Sequence, residues 1–235
     1  MPEFILYLLL IAAFIFSIFT SINVKGTFRK YNKMPSSRGM SAADIARQIL
    51  DSNGLYNVQV TRVSGELTDH YDPRTNVIRL SDSVYDNTST AAIGVACHEA
   101  GHAVQYAESY APIKLRAAII PVTNIGSKLA MPLILIGLLL SYAADVSYFF
   151  VYLGIACFGL SLVFQLVTLP VEFNASHRAL VAIDEGGLLT EEEQKGAKKT
   201  LTAAALTYVA ATATALAQLL RLLVIFGGNG RRRRD

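Results

Sequence analysis

His98-Glu99-Ala100-Gly101-His102 reads as H-E-x-x-H, and the residues on either side place it on a helix. Thr88, Ser89 or Thr90 can cap that helix, and Ile93, Ala96, Cys97, Ala100 and Val104 recur at helical spacing through about Ala107. At a separation of four, two imidazoles lie one turn apart on the same face, so His98 and His102 can reach one tetrahedral zinc. Glu99 then stands beside the open metal position where water binds, the arrangement used for metal-assisted peptide hydrolysis. With four histidines in 235 residues, chance gives this pattern in roughly one such chain in several hundred. Gly94 and Gly101 each cost such a helix about 1 kcal/mol relative to alanine. That cost makes sense where another backbone or a metal site approaches closely, or where packing demands a small residue.

The rest of the composition is not that of a soluble enzyme. The chain is 52% hydrophobic and 17% charged, with the excess gathered in long apolar runs that imply a membrane protein. Residues 4–22 are near-apolar over about a bilayer's length and end at Lys25, Arg29, Lys30 and Lys33. No basic stretch precedes the run and no small-residue cleavage site follows it, so it reads as an uncleaved anchor. Residues 129–142 and 146–171 form an apolar pair around a short turn at Asp145, a transmembrane hairpin whose first arm begins near Ala117. Residues 201–226, rich in alanine and threonine and interrupted by Arg221, could span, pack inside a bundle or lie at the interface. Lysines and arginines put the N-terminus outside and the motif in the cytoplasm, although the arginines at 231–234 conflict with a spanning fourth helix. Cys97 and Cys157 give no reason to expect a disulfide, and Cys97 reads as a small core residue.

Between anchor and motif lies an α+β stretch. Ser41-Ala42-Ala43-Asp44 resembles a capping box opening a helix to about Ser52, stopped at Gly54. Residues 57–63, 67–71 and 76–80 alternate as strands, with Asp72-Pro73-Arg74-Thr75 as a turn, so a short antiparallel sheet is expected before the motif helix. The expected fold is mainly α, with three to four transmembrane helices and a small α+β zincin-like portion. Its organisation is a membrane anchor over 1–24, a cytoplasmic portion over 25–116, a hairpin over 117–171, a third-ligand helix and polar loop over 172–200, and a hydrophobic helix with a basic tail over 201–235.

A hydrolytic zinc takes three protein ligands and leaves one position open. The best third candidate is Glu172, a carboxylate where the long apolar run ends; Glu108, Asp184 and Glu185 compete less well. His177, Arg178 or Tyr208 could donate to an oxyanion, and His70 could face a cleft, but each also reads as an ordinary helix or strand residue. A non-catalytic scaffold with a structural zinc is the alternative class, but such a site is closed by four ligands and has no need of Glu99. No Gly-rich nucleotide loop is visible, and the basic tail suits anionic lipid better than nucleic acid.

His98 to Gln105, the strand-turn-strand before it, and Pro170-Val171-Glu172-Phe173-Asn174-Ala175-Ser176 closely resemble the YugP-like family of bacterial membrane zinc metallopeptidases over nearly the whole chain. More distantly, the layout looks like the HtpX and CAAX-prenyl-type gluzincin membrane proteases, whose third ligand comes from a later helix with a Glu-x-x-x-Asp pattern. Glu172 matches that glutamate, and Ser176 stands where those relatives carry the aspartate that orients a zinc-binding histidine. The resemblance implies a zinc metalloendopeptidase with Zn2+ on His98, His102 and Glu172, and Glu99 as general base. Its substrate would be a membrane-associated or unfolded polypeptide, laid along an edge strand within 67–71 at the cytoplasmic face of the lipid bilayer.

Overall fold

A computed structural model of the chain describes residues 3–140 and 144–227. Six helices and three strands follow in the order α1 (Glu3–Tyr31), α2 (Ala42–Ser52), β1 (Gln59–Val63), β2 (His70–Asp72), β3 (Val77–Ser81), α3 (Thr90–Ala107), α4 (Ala111–Leu139), α5 (Ala144–Glu185) and α6 (Glu191–Gly227). Helices α1, α4, α5 and α6 are each long and apolar enough to cross a membrane. The chain is a mainly α-helical membrane protein, and it divides into two compact units. One holds 1–19, 115–169 and 208–235; the other holds 20–114 and 170–207.

The first unit is built for a lipid solvent. Phe14 and Phe149 are 60% and 63% exposed, an arrangement that costs little only where the surroundings are as apolar as the side chains. Without a hydrophobic drive between helices, contact depends on close backbone approach. A Cβ at Gly137 would meet Ser147 O at 2.8 Å, and one at Gly154 would meet Ala130 O at 2.8 Å, so α4 and α5 pack nearly backbone to backbone. The Ser147 hydroxyl donates to Gly137 O at 2.6 Å. The Arg221 guanidinium, which interrupts the apolar run of α6, lies over the Tyr7 ring, 5.8 Å from its centroid. The turn expected around Asp145 and the basic tail at 231–234 fall largely or wholly outside the described residues.

The second unit carries a conventional core. Ser41 caps α2 through its hydroxyl, which accepts from Asp44 N, and Ser89 caps α3 by accepting from Ala92 N. Ile45, Leu50, Ile78, Leu80, Ile93, Ala96 and Ile183 are buried in one cluster, drawn from α2, β3, α3 and α5. Gly94 and Gly101 mark where α3 meets its neighbours: a Cβ at Gly94 would lie 3.3 Å from Ala197 Cα of α6, and one at Gly101 would lie 2.8 Å from Ala175 O of α5.

The sheet departs from the expected antiparallel arrangement. Its order is β1-β3-β2, with β2 antiparallel to β3 but β1 parallel to it. The turn after Asp72 makes the hairpin that alternation suggested. Before it, Gly65 at φ +116° and Leu67 at φ +57° reverse the chain, which keeps β2 off β1 and confines the second strand to His70–Asp72. Two helix boundaries also differ. Glu172 continues α5 without a break, since Pro170 lies inside that helix, and α6 starts at Glu191, ten residues before the apolar run expected from 201. Its start is a capping box: Thr190 N donates to Glu193 Oε2 at 2.9 Å and Glu193 N to Thr190 Oγ1 at 3.4 Å.

Candidate metal centre

All the groups of this site belong to the second unit. Helix α3 presents His98 and His102 one turn apart with ring centroids 4.7 Å from each other, and α5 brings Glu172 against both. Glu172 Oε2 is 3.2 Å from His98 Nε2 and 3.6 Å from His102 Nε2. This approach depends on Gly101, because any side chain there would strike the α5 backbone beside Ala175, three residues from Glu172. The three side chains offer one ligand atom each, all within 4.8 Å of one another.

These donors suit zinc. Ligand bonds of 2.0–2.2 Å at tetrahedral angles put neighbouring donor atoms about 3.3 Å apart, which is the spacing found between the imidazole nitrogens and the carboxylate. Both imidazoles are also oriented for it. His98 Nδ1 is 3.1 Å from Ser176 Oγ and His102 Nδ1 is 3.0 Å from Gln105 Oε1, leaving Nε2 of each ring toward Glu172. Ser176 thus holds the His98 ring through its hydroxyl. Gln105 and Asn174 escaped sequence reasoning as partners of the site, the available signal being the i, i+3 spacing of His102 and Gln105; Arg178, considered above as an oxyanion donor, instead donates to Asn174 Oδ1 and pairs with Glu108.

Glu99 follows His98 on α3 and is buried at 8% exposure. Its charge is felt by His102 and by Asp69, the residue before β2. Burial pulls the His102 imidazole down, but its hydrogen bond with Glu172, the charges of Glu99 and Glu172 and the contact with Gln105 together hold it above the ordinary histidine value. Burial raises Asp69, and hydrogen bonds from Ser81 N at 2.7 Å and Ser81 Oγ at 3.0 Å only partly offset it.

The competing residues lie elsewhere. Glu108 pairs with Arg178 at 2.6 Å, Asp184 accepts from Gln194, and Glu185 lines a separate cavity with Cys97, His177 and Arg178. Cys97 is fully buried, burial pushes its thiol well above the ordinary value, and neither it nor Cys157 forms a disulfide. His70 is exposed, with Nδ1 2.8 Å from Thr68 O. Tyr208 belongs to the other unit.

Comparison with known proteins places the whole chain in one group. The family described as "Putative neutral zinc metallopeptidase" matches residues 6–227. The chain is 48% identical over 218 residues to the "Putative membrane protease YugP" of Bacillus subtilis (strain 168), covering 93% of this chain and 95% of that protein. No solved structure matches it significantly.

Proposed function

The chain belongs to the family of "putative neutral zinc metallopeptidases", and from that premise we propose that it is a membrane-embedded zinc endopeptidase cutting membrane-associated or unfolded polypeptides. The observation that carries this reading is the convergence of His98, His102 and Glu172 within 4.8 Å beside the buried carboxylate of Glu99.

In this reading His98 and His102 would hold the metal through Nε2 and Glu172 through a carboxylate oxygen. A zinc held there would supply Lewis acidity toward a peptide carbonyl and a water molecule. Glu99 accepts a proton from the attacking water and delivers it to the departing amine as the C–N bond breaks. Its burial keeps that carboxylate out of bulk water, in surroundings of lower dielectric that screen its charge less.

Strand β2 is an edge of the sheet and suits an extended polypeptide, which would gain main-chain hydrogen bonds with little sequence preference. Glu172 follows the last apolar stretch of α5 directly, which supports chemistry close to a membrane surface, and the lysines and arginines after α1 support the cytoplasmic side of the cell membrane.

Purified protein in detergent should cleave an unfolded polypeptide such as reduced, alkylated casein, lose that activity to a chelator, and regain it on zinc addition. Cleavage that persists unchanged through exhaustive metal removal would rule the reading out.

A further inference from the structure

Resting on the zinc reading above, we infer that Gln105 is the positioning residue that fixes His102 as a ligand through Nε2, and that its own orientation is set from α5 by Arg178 and the Val171 carbonyl. Hydrogen-bond polarity is fixed along a chain whose two anchors have only one possible role each. Arg178 Nε can only donate, so the Asn174 atom 2.8 Å from it is the amide oxygen. Gln105 Nε2 lies 2.9 Å from that oxygen and 2.8 Å from Val171 O, a backbone carbonyl that can only accept, so this end of the Gln105 amide is its NH2 group. Its other end, Oε1, must therefore accept from His102 Nδ1 at 3.0 Å. The proton of the neutral imidazole is thereby placed on Nδ1, and the lone pair on Nε2, which faces Glu172.

The chain is closed at its far end as well. Arg178 Nη2 pairs with Glu108 Oε2 at 2.6 Å, so His102 and Gln105 of α3 and its C-cap Glu108 are matched by Val171, Asn174 and Arg178 on α5. Gln105 is fully buried, and flipping its amide would set its oxygen against the Val171 carbonyl and the Asn174 amide oxygen, leaving two acceptors unsatisfied. Nothing in the packing of an apolar residue of the same size would set the tautomer of His102.

Zinc affinity by chelator competition, read beside thermal unfolding of the metal-free protein, tests this. Gln105→Leu should weaken zinc binding about 10- to 100-fold. Gln105→Glu keeps an acceptor for Nδ1–H and should recover most of that affinity, even if it unfolds at lower temperature. Arg178→Met should weaken zinc binding in the wild-type background and have little further effect in Gln105→Leu. Wild-type affinity in Gln105→Leu, with binding abolished in His102→Ala, would overturn this inference alone. Zinc binding indifferent to His98→Ala and His102→Ala would overturn the zinc reading and this inference with it.

Discussion

The three proposed ligands divide labour unequally between helices. His98 and His102 are fixed to α3 by one turn of geometry, whereas Glu172 reaches them only through tertiary packing. Glu172→Ala should therefore lose most bound zinc, and Glu172→Asp, one methylene shorter, should hold it poorly. Alanine at Glu108 or Glu185 should leave zinc near stoichiometric, because neither carboxylate is among the converging ligands: Glu108 is joined to them through Arg178, and Glu185 lines another cavity. Metal content of the purified variants checks this; zinc retained by Glu172→Ala and lost from Glu108→Ala would reassign the ligand. At this scale the sequence was informative where chemistry is local. The H-E-x-x-H spacing and the end of the apolar run singled out all three side chains that the structure brings together. Gln105 and Asn174 were not legible, because an amide has no diagnostic spacing and their roles depend on atoms about 66 to 69 residues away.

At the scale of elements, the site rests on how closely α3 and α5 approach. Gly101→Ala would drive a methyl group to 2.8 Å from Ala175 O, a backbone atom that cannot swing aside. We expect a loss of about 1–3 kcal/mol in stability together with weaker zinc binding, whereas Gly94→Ala, at 3.3 Å from Ala197, should cost less. Thermal unfolding and metal titration of the two variants would separate them; a Gly101→Ala protein as stable as wild type would mean that the helices can part freely. The hairpin of β2 and β3 makes a separate prediction. Arg74 N, Thr75 and Arg74 hold the Asp72 carboxylate down to about 2, below its value of about 3.9 in an unfolded chain. Its support of the turn is thus complete above about pH 4 and is lost as pH falls through 2. Asp72→Asn should flatten that part of the acid-unfolding curve, and an unchanged acid limb would count against it. Helices α2 and α3 were readable from Ser41 and Ser89 because caps are local, and the start of α6 was equally present in Thr190-Glu191-Glu192-Glu193. The parallel pairing of β1 was not, since alternation fixes which face is buried but not which neighbour a strand chooses.

For the whole molecule, the four apolar helices and the charged segments between them carry a topological prediction. If the positive residues set the orientation, 25–114 is expected inside and the segment at Asp145 outside. With Cys97 and Cys157 replaced, Asp145→Cys should react with an impermeant thiol reagent on intact cells and Asn57→Cys should not; the opposite pattern would move the active site out of the cytoplasm. The proposed division of labour is narrower than topology: three side chains would hold zinc while Glu99, which is not among them, moves the proton. It is tested most directly by measuring zinc content and peptidase rate on one preparation of Glu99→Gln. We expect about one zinc per chain, as in wild type, with the rate lower by about 10²- to 10⁴-fold. A Glu99→Gln protein that cleaves at the wild-type rate, or that loses its zinc along with its activity, would contradict it.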